Sequence, residues 1–213
     1  MADLETISAL ATGAGTLVLA VATFGSVRSA NRSSRLAEEA LQVNMRPLLM
    51  PSRQGDATQK IFFFDGQHVR LEGGRGDVIF ENGVVYLAMS LRNAGQGIAV
   101  LHGWRFQTGQ EAEPQRPDPA SFHPHSRDIM IAPGDIGFWQ GAFRDPADPQ
   151  FEEAVTAAKS TDIELITIDL LYGDHEGGQR TISRMSLRRV GEARDIWLVA
   201  VGRYWNLDRP DPR

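Results

Sequence analysis

Between Glu5 and Arg28 the chain runs 22 residues, Thr6 to Val27, with no charge and no proline. As one helix this stretch would extend roughly 33 Å, about the thickness of a bilayer's hydrocarbon core. It predicts a single membrane-spanning helix. A cleaved secretory signal is the competing reading, but that needs a basic leading region, and the chain opens Met-Ala-Asp-Leu-Glu. Arg28, Arg32, Arg35 and Arg46 follow the segment while no Lys or Arg precedes it. By the positive-inside rule the protein is expected in the inner (plasma) membrane, single-pass, with its N-terminus outside and its main domain cytoplasmic. The reversed topology is the alternative.

Only eight residues of the segment are large and apolar, and the rest are Ala, Gly, Ser or Thr. At 100° per residue Ile7, Leu10, Leu17, Val18, Val21 and Phe24 share one face. Ser8, Thr12, Gly15, Thr16, Thr23 and Ser26 lie opposite, and Leu19 is the exception. Small side chains let helix backbones approach, and hydroxyls bond across the seam, so this face is a candidate interface with a second copy or another membrane subunit. The same phase continues through Ala30, Ser33, Ala37, Ala40 and Asn44. With no Gly or Pro between residues 26 and 46, one helix can run on to Arg46, where Pro47 and Pro51 end it. A break near Ser33-Ser34 is the other reading.

After Arg46 the period changes from helical to alternating. Val85, Leu87, Met89 and Leu91 point one way and Tyr86, Ala88, Ser90 and Arg92 the other, the pattern of a half-buried strand. Asp65-Gly66 separates the apolar runs 60–64 and 67–71, and Asn82-Gly83 separates 77–81 from the strand just named. Both are hairpin signals, because Gly supplies the positive φ of a tight turn. Further strands are expected at 98–107, 127–132, 137–143, 162–172, 180–188 and 196–205, with one helix near 149–159. The stretch 111–126 reads as a long surface loop. Many short strands without βαβ alternation predict a mainly β fold, an antiparallel immunoglobulin-like β-sandwich. The organisation expected is a short tail and transmembrane helix (1–27), a juxtamembrane helix (28–45), the sandwich (46–205) and a C-terminal tail (206–213).

Two sequence features carry a resemblance. The order of span, juxtamembrane helix, Arg46-Pro47 and a strand closing in Leu91-Arg-Asn-Ala-Gly-Gln-Gly-Ile-Ala99 resembles a broad set of uncharacterised bacterial membrane-anchored proteins with an immunoglobulin-like domain. The ending Tyr204-Trp-Asn-Leu-Asp-Arg-Pro-Asp-Pro-Arg213 is similar to the tails of hypothetical actinobacterial proteins. The resemblance implies architecture and brings no activity and no catalytic residues.

Composition narrows the function classes. The net charge is −5, which is not the electrostatic footprint of a nucleic-acid binder. Cysteine is absent, so disulfides, Cys-ligated metals and thiol catalysis within this chain are excluded. Gly13-Ala-Gly15 lies inside the hydrophobic run and lacks a third glycine, so it is no dinucleotide loop. Arg75-Gly-Asp77 follows two glycines and reads as turn chemistry. His123, His125, Asp174 and His175 are the only candidate metal or catalytic side chains, in expected loops and at no recognised spacing. Trp104, Trp139, Trp197 and Trp205 fall in expected strands, as core or as a binding face. No cofactor is expected, and the partners expected are the lipid bilayer and other membrane subunits or a homo-oligomer. The sequence therefore favours a non-enzymatic accessory or scaffold subunit, with a membrane-tethered enzyme or ligand sensor as the alternative.

Overall fold

A computed structural model describes residues 2–109, 115–191 and 196–211; within the first helix only the backbone is described at 2–8, 10–12, 39 and 42–44. The chain forms two compact units, Met1–Val43 and Asn44–Arg213. The first is a single α-helix, α1, Ala2–Asn44, unbroken at Ser33-Ser34. Its described side chains between Gly13 and Leu41 are exposed.

The second unit is mainly β. Its strands are β1 (Leu49–Pro51), β2 (Gln59–Phe62), β3 (His68–Leu71), β4 (Arg75–Glu81), β5 (Val84–Asn93), β6 (Ala99–Thr108), β7 (His123–Ile131), β8 (Ile136–Phe143), β9 (Leu165–Gly173), β10 (Thr181–Val190) and β11 (Ile196–Asn206), with helix α2 at Phe151–Lys159. Nine strands make one antiparallel sheet in the order β1-β5-β4-β11-β10-β9-β6-β7, and β8 pairs with β5. Strands β7 and β8, far apart in this order, are consecutive in the chain and joined by a tight turn, Asp135 N donating to Ala132 O. The sheet must therefore curl to bring its ends together. Inward residues of β5 and β8 (Leu87, Met89, Trp139) then share one core with those of β6, β9 and β10 (Phe106, Ile168, Leu187). Helix α2 adds Phe151, Ala154 and Ala157, spaced for one helical face.

Local chemistry explains the elements. Asn82 (φ 51°) and Gly83 (φ 80°) form a two-residue turn between the paired Glu81 and Val84, and Gly66 (φ 88°) closes the β2–β3 hairpin. On the outer side of β9 and β10, Arg184 meets Asp169 through two short hydrogen bonds, Nε–Oδ1 at 2.7 Å and Nη2–Oδ2 at 2.9 Å. Both groups are buried, and the guanidinium lies over the Trp205 ring. This pairing lets a charged pair occupy a strand position closed to water.

Several expectations are corrected or decided. β5 is not half-buried: Tyr86, Ala88 and Ser90 are buried too. The β2–β3 hairpin lies over that face, packing Ile61, Phe63, Val69 and Leu71 against Tyr86 and Ala88 in a second core. The expected loop 111–126 gives way to strand at His123; its residues 111–114 lie outside the described residues. Arg75-Gly-Asp77 is in strand β4, paired with β5 and β11, and is not a displayed loop. All four tryptophans are core residues, none more than 5% exposed.

One side chain ties several segments together. Asn93, fully buried at the end of β5, accepts from Leu48 N (3.1 Å) and Gly95 N (2.9 Å) through Oδ1. Its Nδ2 donates to Gly97 O (2.6 Å) and Ile131 O (3.0 Å). A Cβ at Gly97 would sit 1.6 Å from Met45 O, and one at Gly95 2.3 Å from Arg46 O. The Arg-Pro segment and the Asn-Ala-Gly-Gln-Gly run are thus two sides of one contact. Replacing Asn93 by Ala strands several buried backbone groups and is expected to cost about 3 kcal/mol or more in urea unfolding of the full chain. Gly97→Ala should be comparably destabilising, whereas Gly55→Ala, with open space around it, should stay within about 0.5 kcal/mol.

Candidate functional site

Two regions hold most of the residues singled out by sequence. On α1, Gly15, Thr16, Thr23, Ser26, Ala30 and Ala37 are exposed, while the side chains of Ser8 and Thr12 lie outside the described residues. A Cβ at Gly15 would meet nothing within 4 Å, so this position is open to close approach. Ser26 Oγ donates to Ala22 O at 2.9 Å, so the helix satisfies this hydroxyl internally. The large residues of the helix are equally open: Leu17, Val18, Leu19, Val21 and Phe24 are 65–69% exposed. Among the described residues no helix is long and apolar enough to cross a membrane. The stretch Thr6–Val27 itself reaches beyond them, since the side chains at 6–8 and 10–12 are not described.

The second region is the seam where the curled sheet meets itself. Among the described residues β7 pairs only with β6, and β8 only with β5, so the two strands face each other without a ladder between them. Near their shared turn they are close: Ile131 packs against Gly137 so tightly that a Cβ there would lie 2.6 Å from Ile131 Cγ1. Further along, the Arg127 side chain spans the gap to Gln140 Oε1 at 2.9 Å. Beyond it opens a cleft of about 210 Å³, lined by Phe63, Trp104, His123, His125, Gln140 and Arg144.

His123 and His125 therefore come to one cleft, on a strand. His123 stacks on Trp104 (centroids 4.7 Å apart), meets Phe143 edge-on, and hydrogen-bonds Gln150 Oε1 at 2.9 Å. Those contacts fix it as a wall of the cleft. His125 has a buried Nε2 with no hydrogen-bond partner. Burial pushes its pKa down to about 4, with neighbouring His102 and Arg127 adding to the effect. Asp174 and His175 go elsewhere, to the connection between β9 and β10. Asp174 accepts from Glu176 N and Gly178 N and shapes that turn, and His175 is exposed.

His102 was not anticipated. The register of β6 against both β7 and β9 slips between Leu101 and Gly103, so His102 is a bulge residue; opposite it, β7 carries the unpaired residues His125 to Asp128. Its Nε2 is also buried and unpartnered. Burial lowers its pKa, Arg180 adds to this, and Asp174 and Asp128 oppose it. The signal available in sequence was Gly103 inside an apolar strand, a mark of a bulge, and bulges re-aim side chains.

Chemically this is an aromatic cleft with one buried, unpartnered imidazole, His125, in its lining, and a second, His102, on the neighbouring strand. Among the described residues no group of three or more His, Asp or Glu is placed to hold a metal ion. None of their histidines is hydrogen-bonded to a hydroxyl that it could activate as a nucleophile. No family model, curated protein or solved structure matches the chain.

Depressed imidazole pKa values have a defined consequence. The fold prefers neutral rings while the unfolded chain titrates near 6.5, so the stability they contribute is full above that pH and is lost as pH falls toward 4. The urea midpoint should drop between pH 6.5 and 5, and His125→Gln should flatten that drop. An unchanged slope in the variant contradicts the assignment.

Proposed function

We propose that this chain is a non-enzymatic, membrane-anchored accessory or scaffold subunit. Thr6–Val27 crosses the bilayer, the small-residue face of α1 packs on other membrane helices, and the β domain binds or positions a partner on the cytoplasmic side. In this reading the curled sheet is an immunoglobulin-like sandwich, with β5 and β8 in one layer facing β6, β9 and β10 in the other.

One observation carries the proposal: the apolar side chains of α1 are left in the open. Leu17, Val18, Leu19, Val21, Phe24 and Val27 are each more than half exposed. Each contributes roughly 1.5–3 kcal/mol when removed from water, so a helix this apolar calls for an apolar surrounding. A bilayer supplies it for the large residues. It gives no comparable drive to the Gly, Ala, Ser and Thr face, whose use is close packing against another helix. The arginines that follow at 28, 32 and 35 are exposed and suit the cytoplasmic interface.

A second reading, a membrane-tethered ligand sensor, is favoured by the unpartnered Nε2 of His125, a residue lining the seam cleft. The absence of a hydroxyl–imidazole pair among the described residues argues for binding over catalysis there.

The association is read by crosslinking and size analysis after mild detergent extraction. Gly15→Leu fills the open approach and should reduce the associated fraction several-fold, while Phe24→Leu, nine positions on and on the opposite face, should leave it unchanged. A strictly monomeric species without any copurifying subunit contradicts the proposal.

A further inference from the structure

The β2–β3 hairpin alternates strictly. Ile61, Phe63, Val69 and Leu71 point to the second core, and Lys60, Phe62, Phe64, His68 and Arg70 are left on the outer face, all exposed. Phe62 is 52% exposed and Phe64 78%. Single exposed apolar residues are ordinary, but here two aromatic rings share one face of a two-stranded ladder. Each also lies beneath a cation: Lys60 Nζ is 4.7 Å from the Phe62 ring centre and Arg144 4.3 Å from that of Phe64.

The charges on this face are unbalanced. Lys60 and Arg70 are directly paired in the hairpin register, and Phe62 is paired with His68. Like charges facing each other across a ladder destabilise it. The carboxylates at the margin are engaged with other groups: Asp65 with Tyr86 and Arg144, Glu72 with Arg75, and Glu81 with Gln67. A chain of net charge −5 thus presents a local basic and aromatic face.

We propose that the outer face of the β2–β3 hairpin is the docking surface for an acidic segment of a partner protein, carboxylates on Lys60 and Arg70 and apolar side chains on Phe62 and Phe64. This rests on the scaffold reading and names the chemistry of its partner. Arginine is among the residues that anchor protein contacts most strongly, and phenylalanine is enriched in interface cores. An anionic bilayer would offer similar charge, but α1 stays helical from Arg28 to Asn44, about 25 Å at 1.5 Å per residue. A span ending at Val27 therefore sets the start of the β domain away from the lipid surface.

The test uses the full chain in nanodiscs and a fluorescent peptide of alternating Glu and Phe. The peptide should bind, protect the amides of residues 59–71 from hydrogen exchange, and lose affinity as salt rises. Lys60→Glu with Arg70→Glu, and separately Phe64→Ser, should weaken binding about tenfold or more, with unfolding midpoints unchanged. Arg188→Glu, an exposed cation on β10, should have no effect. A Lys/Phe peptide should bind only the doubly reversed variant. Equal binding of both peptides to the wild type, indifference to the hairpin substitutions, or protection of 59–71 by anionic lipid in place of peptide would overturn the inference. The Gly15→Leu experiment reads the helix independently, so failure at the hairpin and failure of the scaffold reading are separable.

Discussion

The fold of the β domain depends on the buried amide of Asn93, which spends all four of its hydrogen-bonding positions on backbone from separate parts of the chain. It holds the segment after α1, the connection between β5 and β6, and the end of β7. The segment Met45–Leu48 belongs to no strand, yet Ala94 N donates to Leu48 O (2.8 Å) and Gln96 N to Arg46 O (3.2 Å). Asn93 adds its side chain to these bonds, and two glycines, by their missing side chains, let the carbonyls come close. An aspartate would lose the two donors, and a leucine all four bonds. The geometry requires an amide, which is a physical reason for the Arg-Asn-Ala-Gly-Gln-Gly run to read as it does.

From that junction the domain is organised by how it closes. A curled sheet whose ends are neighbouring strands leaves one seam without a ladder, and the domain fills it with Trp104, His123 and the Arg127–Gln140 bridge. The neighbouring bulge holds His102, whose Nε2 lies beside Gly173, and both it and His125 are left without a partner at Nε2. On the other side of β5 the hairpin covers what would have been a wet face and moves the exposed surface outward, to Lys60, Phe62, Phe64 and Arg70. Exposed aromatic surface is therefore made of phenylalanine, while every tryptophan is spent in the core.

Much of this was legible in sequence. Asp65-Gly66 and Asn82-Gly83 placed two turns because positive φ is a local requirement that few residues meet. Strand β5 followed from alternation, and a helix was expected near 149–159, where α2 lies. What failed was nonlocal. Nothing in Tyr86, Ala88 or Ser90 says that a hairpin will cover them. Pro124 made the start of β7 look like loop, yet a proline is tolerated beside a bulge where the ladder is already interrupted. At the seam, the two histidines of β7 were visible as candidates, while His102 depended on a register slip that only the paired strands reveal. The continuity of α1 was legible because no Gly or Pro interrupts residues 26–46.

The proposed arrangement joins an apolar helix to a β domain on the cytoplasmic side of a membrane, and the cysteine-free chain makes that directly measurable. Single cysteines at Ala2 and at the exposed Thr58 would be challenged with a membrane-impermeant maleimide in intact cells and after lysis. We expect a membrane-bound chain labelled at Ala2→Cys from outside and at Thr58→Cys only after lysis. Labelling of Thr58→Cys in intact cells, or recovery of the chain free of membrane, would contradict it.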